Sequence, residues 1–377
     1  MKRVVLVVVV LLSLVALSLI PGGSEQSVYT GMCVKSGDNY AVLFNGSSTI
    51  LITRGLETGR IYTVKGHVKD GESGPIMRPT SISQGGSMKL EEFRGVYWSR
   101  NGWYLFSKRG KLRLAGPLNV TPATEVILEG VYYNGIVYPV RLLSKSPTRG
   151  PRNGFPWMFE GVVFSRRTVW NGSDRVTVYP PHGTELVIGT HVRVTGMVRV
   201  GARITVYASN VSVLGYAPEV PIEATKTGEM GTGSCLVLRG GDGLIKLNCT
   251  NLSVYGAKAN TGDLLKVRVL NRGTSMICVR CTVLKSRREM PNGICSWREG
   301  KLGKVHGTVE WVKRYASGFG IANVTNGECS ILVKLPSSLG FTPSKGDVIT
   351  VYGEFVLYRG VRSIQPAMKR DVCYGRC

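Results

Sequence analysis

Aromatic and basic side chains alternate between residues 93 and 113, and their types suit the binding of a polyanion. Aromatic rings stack on nucleobases, at about 1–3 kcal/mol per base, while basic groups neutralise phosphates. If Asn101-Gly102 forms a two-residue hairpin turn, Trp98, Arg100 and Trp103 share one sheet face. We predict that this face is open and binds the polyanion. The neighbouring basic residues assigned to the same site are Arg94, Lys108 and Arg109.

Two further segments repeat this combination more sparsely. One contains Arg166, Arg167 and Trp170, and the other contains Trp311, Lys313 and Arg314. The whole chain has 48 Lys and Arg against 24 Asp and Glu, which gives a formal net charge of +24. This charge attracts polyanions but does not distinguish DNA or RNA from acidic glycans or anionic lipid headgroups. The alternatives, core packing for each aromatic and a solvated surface position for each basic residue, stay open.

The sequence contains no pattern typical of an active site. The four histidines, His67, His182, His191 and His306, stand in β-patterned segments or turns without a metal-ligand motif. HExxH, P-loop and nucleophile-elbow motifs do not occur in the sequence. We therefore predict a protein that is not an enzyme and needs no cofactor and no metal.

A repeated unit organises the chain. Its first strand contains a glycine at Gly31, Gly95, Gly161 and Gly307, and a later strand contains a second glycine at Gly66, Gly130, Gly196 and Gly353. The two glycines are 35 residues apart in the first three units and 46 apart in the last. A degenerate unit without the second glycine fits between the third and the last. Apolar and polar residues alternate with period two throughout, which predicts strands, and a glycine within a strand marks a bulge or a tight bend.

Unit length, alternation and the strand Gly346-Asp347-Val348-Ile349-Thr350-Val351-Tyr352-Gly353 resemble the OB-fold. The tandem arrangement resembles the replication protein A family, although this chain has an apparent export signal and no four-cysteine zinc module. The resemblance implies all-β architecture, with about five small barrels that bind through the face of strands 2 and 3 and the adjoining loops. The predicted units span residues 25–86, 90–145, 157–216, 222–288 and 302–377. The predicted linkers are Asp70–Glu92, Ser144–Pro156, Tyr216–Thr232 and Lys285–Gly303.

The N-terminus predicts export. Lys2-Arg3 precedes an apolar stretch over residues 4–20, which is closed by Pro21-Gly22-Gly23. A membrane span needs about 20 apolar residues and a signal peptide core about 7–15, so residues 1–24 are a signal peptide or a membrane anchor. The basic end stays inside, so the rest of the chain lies outside the cytoplasm, at the cell surface or secreted. The absence of a clear small-residue cleavage site favours the anchor.

Seven N-x-S/T sequons support export, because N-linked glycans occur on exported proteins. They begin at Asn45, Asn119, Asn171, Asn210, Asn248, Asn251 and Asn323. Chance occurrence in a Ser/Thr-rich β-protein is the alternative.

The cysteines are concentrated in the C-terminal part of the chain, and in an exported protein they predict disulfides. The eight cysteines predicted to form disulfides are Cys235, Cys249, Cys278, Cys281, Cys295, Cys329, Cys373 and Cys377. Cys235 and Cys249 flank the turn Gly240–Gly243 symmetrically, so a bridge between neighbouring strands is expected there. Cys278 and Cys281 have zinc-knuckle spacing, but no second pair follows. Cys33 is left over and is expected to be unpaired or intermolecular.

The leading hypothesis is an extracytoplasmic, membrane-anchored protein that binds single-stranded nucleic acid or a similar polyanion through tandem basic and aromatic barrels. One alternative is a structural cell-envelope glycoprotein whose barrels serve as an assembly scaffold for envelope proteins. Another is a protein that binds acidic glycans.

Overall fold

A computed structural model describes residues 26–377, and it is built almost entirely of β-strands. The predicted signal peptide or membrane anchor, residues 1–24, lies outside the described residues. No helix within residues 26–377 has the length and apolar character to cross a membrane. Five small barrel-like sheets follow one another along the chain, which confirms the predicted fold class.

The strands are numbered in chain order. The first barrel contains β1 (Gln26–Gly37), β2 (Tyr40–Phe44), β3 (Thr49–Ile52), β4 (Ile61–Gly71) and β5 (Gly74–Gln84). The second contains β6 (Glu91–Trp98), β7 (Tyr104–Ser107), β8 (Gly110–Leu114), β9 (Thr124–Tyr133) and β10 (Ile136–Pro147). The third contains β11 (Pro156–Ser165), β12 (Thr168–Trp170), β13 (Arg175–Tyr179), β14 (Thr190–Val200) and β15 (Ile204–Tyr216).

The last two barrels each have an additional strand. The fourth contains β16 (Glu219–Pro221), β17 (Met230–Arg239), β18 (Gly241–Leu247), β19 (Val254–Ala259), β20 (Leu264–Asn271) and β21 (Met276–Lys285). The fifth contains β22 (Leu302–Arg314), β23 (Gly320–Thr325), β24 (Ser330–Leu335), β25 (Val348–Tyr358), β26 (Val361–Gln365) and β27 (Val372–Tyr374). Four single-turn 3-10 helices lie at Ile222–Ala224, Arg287–Glu289, Ser337–Leu339 and Lys369–Asp371.

All five barrels share one strand order. In the first barrel the order is β1-β2-β3-β5-β4, and β4 pairs with β1 to close the sheet. The third and fifth strands run parallel in the first, second, fourth and fifth barrels. The fourth and fifth barrels have the same closed order with one strand added at its edge. β16 pairs with β17 in the fourth barrel, and β27 pairs with β25 in the fifth. This order is that of the OB-fold Greek-key barrel.

Alternation along each strand places the core inside each barrel. In β9, Val126, Leu128 and Gly130 point to one side and Glu125, Ile127 and Glu129 to the other. Val126 and Leu128 are almost fully buried. Period-two strands bury every second side chain, so each barrel has an apolar interior of its own.

The repeat glycines have a common structural cause. A Cβ at Gly31, Gly95, Gly161 or Gly307 would lie within 3.0 Å of a backbone carbonyl oxygen of the second strand in the same barrel. A Cβ at Gly66, Gly130, Gly196 or Gly353 would lie equally close to a carbonyl oxygen of the fifth strand. These are backbone atoms, which cannot rotate away as a side chain can. Glycine is therefore required where the first and fourth strands approach their neighbours most closely.

Gly130→Ala is expected to destabilise the second barrel by about 1–3 kcal/mol, because the new methyl group would push β9 away from Tyr138 on β10. Gly116→Ala in the same barrel is the matched control, since nothing lies within 4 Å of its Cβ position. Hydrogen exchange of β9 and β10 amides in the full chain measures the difference. Equal exchange rates in the two variants would contradict the steric explanation.

Two of the predicted linkers contain strands. β5 lies inside Asp70–Glu92 and pairs with β4 along its whole length. β16 and a 3-10 helix lie inside Tyr216–Thr232. Most side chains of β5 are exposed, and many of them are polar or small. The strand therefore has the composition of a linker, which explains why the sequence did not reveal it.

The chain forms two compact units, one comprising residues up to Phe159 with Val194–Val211, and the other comprising Glu160–Arg193 with Ser212–Cys377. Within the first unit, the first two barrels pack through an apolar cluster that includes Met32, Val34, Val131 and Tyr138. The Tyr138 hydroxyl donates a hydrogen bond of 2.7 Å to the Val34 carbonyl. Burial raises the pKa of Tyr138, which keeps this hydroxyl protonated as a donor.

Candidate polyanion-binding site

The hairpin at residues 98–104 has a different register from the one expected. Tyr97 pairs with Leu105 and Trp98 pairs with Tyr104, so the loop has five residues instead of two. Asn101 and Gly102 have positive φ angles of 55° and 117° and lie within this loop. A shift of one residue exchanges the two faces of β7 relative to β6. Tyr97 and Leu105 therefore fill the core, where they are 2% and 0% exposed.

The expected face of Trp98, Arg100 and Trp103 is consequently not formed. Trp98 is only 7% exposed, whereas Trp103 is 38% exposed in the loop. Arg100 is also an exposed loop residue. Whether Trp103 and Arg100 bind a ligand from this loop stays a prediction.

An aromatic and cationic surface does exist on β7 and β8, but its residues are different. The strand register places two cross-strand rows on the side away from the barrel core, Val96-Phe106-Lys111 and Trp98-Tyr104-Arg113. Val96 and Trp98 are buried, so only the β7 and β8 members of these rows reach solvent. The Lys111 Nζ lies 3.7 Å from the centroid of the Tyr104 ring and 5.9 Å from that of Phe106. Tyr104 and Phe106 are half-buried, so part of each ring faces solvent. We call this surface the β7–β8 face.

A cleft of about 700 Å³ adjoins the β7–β8 face and shares Phe106 with it. Its wall includes Phe155, whose ring centroid is 6.2 Å from that of Phe106. The five basic residues that line the cleft are Arg94, Lys108, Arg109, Arg149 and Arg152. Only two carboxylates, Glu92 and Glu125, line the same cleft. The lining therefore has an excess of positive charge beside half-buried aromatic rings.

The turn between β7 and β8 fixes two of these cations. The backbone N–H of Arg109 donates to the Ser107 hydroxyl at 3.1 Å, and that hydroxyl donates to the Gly110 carbonyl at 3.0 Å. Ser107 pairs with Gly110, so Lys108 and Arg109 form the tip of the hairpin. Both side chains are exposed at the cleft.

Three of the five cations are free for a ligand. Arg94 forms an ion pair with Glu92 at 3.7 Å, and Arg152 forms one with Glu125 at 3.1 Å. The side chains of Lys108, Arg109 and Arg149 form no ion pair and no hydrogen bond with any residue of the described chain, 26–377. Exposed ion pairs are weak, typically about 0–1 kcal/mol, so the two paired arginines also remain available to an anion.

The predicted site residues of the third barrel do not form one surface as those of the second-barrel cleft do. Arg166 and Arg167 lie in the turn between β11 and β12, and the Arg167 guanidinium is 5.3 Å from the Tyr179 ring. Trp170 stacks on Phe164 with a centroid distance of 5.7 Å and packs against an apolar cluster. Its position matches the alternative of core packing.

The fifth barrel has a second aromatic and cationic cluster. Trp311 is 43% exposed on β22, and Arg314 ends that strand. The Lys313 Nζ lies 5.5 Å from the Tyr315 ring. Tyr315, Phe319 and Tyr358 follow one another at centroid distances of 5.8 and 6.0 Å, and Lys334 lies 5.4 Å from Tyr358. Sequence analysis missed Phe319, Tyr358 and Lys334, which stand near the ends of hairpins far apart in sequence.

The eight C-terminal cysteines form four disulfides, Cys235–Cys249, Cys278–Cys281, Cys295–Cys329 and Cys373–Cys377. The first is the expected bridge between neighbouring strands. Cys33 is a buried free thiol, and burial raises its pKa. Four disulfides are typical of proteins that fold in an oxidising compartment.

The asparagines of all seven sequons are accessible. Asn119, Asn210, Asn248 and Asn251 are exposed, and Asn45, Asn171 and Asn323 are half-buried. Asn45 and Asn171 stand in tight turns, where each side-chain oxygen accepts two backbone N–H groups. Burial therefore blocks none of these sites, and their glycosylation stays a prediction.

Comparison with known proteins gives little to transfer. No family model matches the chain, and no curated protein matches it. One similar solved structure is a multidomain protein with nucleic acid binding domains from Streptococcus pneumoniae, at 11% identity over 71% of this chain and 75% of that one. The TM-score of that match is 0.12, which is too low to carry an argument.

Proposed function

We propose that this protein binds single-stranded nucleic acid outside the cytoplasm, with the cleft of the second barrel as its principal site. The observation that carries the proposal is the lining of this cleft. Five basic side chains oppose two carboxylates, and Phe106 and Phe155 form part of the wall. No reaction is proposed, since the site offers groups that bind rather than groups that transfer protons or electrons.

The β7–β8 face favours a single strand over a duplex. Unpaired bases can stack on exposed rings, and Tyr104 and Phe106 present such rings beside Lys111. A strand whose phosphates lie along the cleft would have its bases over this face. Stacking depends little on base identity, so binding is expected to tolerate many sequences.

Export is supported by three independent features. The N-terminal apolar stretch follows two basic residues, the asparagines of the seven sequons are accessible, and eight of the nine cysteines form disulfides. We propose that residues 4–20 anchor the chain in the membrane, with the barrels on the outer side. An acidic glycan at the cell surface is the rival ligand for the same cationic cleft.

The test is the double substitution Lys108→Gln and Arg109→Gln in the full chain, kept in a non-ionic detergent. Anisotropy of a labelled oligothymidylate of about 20 nucleotides, longer than one OB-fold covers, reports binding. Removal of two unpaired cations should weaken affinity roughly tenfold at low salt.

The matched control is Lys89→Gln with Lys145→Gln. It removes the same charge from exposed positions of the same unit that do not line the cleft. Equal losses in both double variants would show that only net charge matters and would reject the cleft. Displacement of the labelled oligonucleotide by heparin at a much lower concentration than by unlabelled oligonucleotide would favour the glycan. No binding at low salt would favour the envelope scaffold.

A further inference from the structure

A second cleft, separate from the proposed nucleic-acid site, lies on the fourth barrel. It has a volume of about 650 Å³ and is formed by β16, β17, β20 and β21. The charged residues in its lining are Lys266, Arg268, Arg280 and Glu219. Positive charge is therefore in excess by two within a small concave surface.

The cations are concentrated by the strand register. Arg268 on β20 stands directly opposite Arg280 on β21, and Lys266 stands opposite Thr282. Like charges directly opposite each other destabilise a sheet. Only one carboxylate, Glu219, lines the cleft, and it is bonded to Arg268. An arrangement that costs stability without a ligand suits a site for an anion.

Hydroxyl groups flank the cations on the same face. Thr232 stands opposite Arg268, and Ser234 stands opposite Lys266. The two cross-strand rows are thus Thr232-Arg268-Arg280 and Ser234-Lys266-Thr282. The Thr232 hydroxyl donates to the Val220 carbonyl, whereas Ser234 and Thr282 lie on either side of Lys266. Cations and hydroxyl donors side by side match the oxygens of a tetrahedral anion, which accept several hydrogen bonds at once.

Arg268 is held in place and has a donor left over. Its guanidinium bonds to Glu219 and lies 5.1 Å from the Tyr216 ring. Its Nε is buried, and no residue within the described part of the chain accepts a hydrogen bond from it. The Arg268 side chain as a whole is 31% exposed and lines the cleft, so an anion can still contact it.

A disulfide stabilises the other side of the cleft. Cys278–Cys281 encloses Val279 and Arg280, where β21 has a bulge opposite Arg268 and Val269. The bridge restricts the backbone that carries Arg280. The bridge therefore limits the backbone motion of Arg280, while the pairing of β20 with β21 places it opposite Arg268.

We propose that this cleft binds a phosphate or sulfate ester group, held by Lys266, Arg268 and Arg280 and by the hydroxyls beside them. The site is independent of the cleft in the second barrel. Its volume accommodates the ester group together with the sugar that carries it.

The test measures acetylation of individual lysines in the full chain by mass spectrometry. The two probes are a sulfated heparin disaccharide and a 5′-phosphorylated thymidine dinucleotide, so the source of the ester is distinguished. A saturating probe should slow acetylation of Lys266 about tenfold, as expected for a site that is nine-tenths occupied. Lys246, on β18 and outside the cleft, should react at the same rate throughout.

Arg280→Gln should abolish the protection of Lys266, whereas Arg239→Gln, which removes an exposed arginine outside the cleft, should preserve it. If only the sulfated disaccharide protects Lys266, the ligand is a sulfate ester; if only the phosphorylated dinucleotide does so, it is a phosphate ester. Unchanged Lys266 reactivity with both probes, or full protection in the Arg280→Gln variant, would overturn the proposal. Neither outcome affects the oligothymidylate test, which depends on Lys108 and Arg109.

Discussion

Arg287→Ala should destabilise the packing between the fourth and fifth barrels by about 3–5 kcal/mol, because it leaves a buried carboxylate without its partner. Asp371 is 0% exposed and Arg287 is 8% exposed. The Arg287 Nη1 lies 3.3 Å from the Asp371 Oδ1, and its Nη2 donates to the Arg370 carbonyl at 2.9 Å. The guanidinium also lies 4.3 Å from the Tyr352 ring. One side chain thus joins the segment after β21 to the C-terminal segment of the fifth barrel.

The stability lost in the Arg287→Ala variant should depend on pH. Burial raises the pKa of Asp371 even with Arg287 present. When the pKa of a carboxyl group is higher in the folded state than in the unfolded state, the folded state loses stability as the pH rises through the folded-state pKa. Without Arg287 this pKa rises further, so the deficit should be greatest at neutral pH and should shrink in acid.

Hydrogen exchange of the peptides that contain Lys369–Asp371 and β27 measures the effect in the full chain. Arg288→Ala is the matched control, because Arg288 is adjacent in sequence and exposed. Similar exchange in the Arg287 and Arg288 variants, or a deficit that does not shrink in acid, would refute the role of this ion pair.

Oligothymidylate affinity should fall about 100-fold between 50 and 200 mM salt if the five cations of the second-barrel cleft each neutralise one phosphate. Single strands release fewer counterions than duplexes, and a logarithmic slope of about −0.7 per phosphate gives this factor. In the Lys108→Gln, Arg109→Gln variant, three contacts remain, so the same change in salt should reduce affinity only about 20-fold.

The slope is a sharper measurement than affinity alone, because it counts the contacts. The Lys89→Gln, Lys145→Gln control should keep the slope of the unmodified protein. An unchanged slope in the Lys108 and Arg109 variant would mean that these residues do not touch phosphates. A slope near zero in the unmodified protein would remove the electrostatic basis of the proposed function.

The fold could be predicted from the sequence because its strongest signals are local. The glycine spacing repeats along the chain, and Cys235 and Cys249 are placed symmetrically about one turn. Each signal depends on residues within one barrel. The common strand order depends instead on long-range pairing of the first strand with the fourth and of the third with the fifth.

The site was less predictable because it depends on a loop length and on long-range contacts. Asn101-Gly102 is a frequent two-residue turn, yet here it lies within a five-residue loop. The change of register places Leu105 in the core beside Tyr97 and places Tyr104 on the face of Trp98. Arg149, Arg152 and Phe155 belong to a predicted linker and nevertheless line the cleft. Arg287 also belongs to a predicted linker, and its partner Asp371 is 84 residues away. Composition alone does not reveal such partners.

The close approach at the repeat glycines has a consequence for how these barrels can diverge. Four of the five units lack a side chain at both of these crossings, and a carbonyl oxygen of the adjacent strand enforces this. Most other strand positions need only to alternate between apolar and polar. A duplicated barrel can therefore exchange nearly all of its outward residues and acquire a different ligand without losing its architecture. The unlike aromatic and cationic surfaces of the second and fifth barrels, which both keep the two glycines, are the outcome that such a constraint permits.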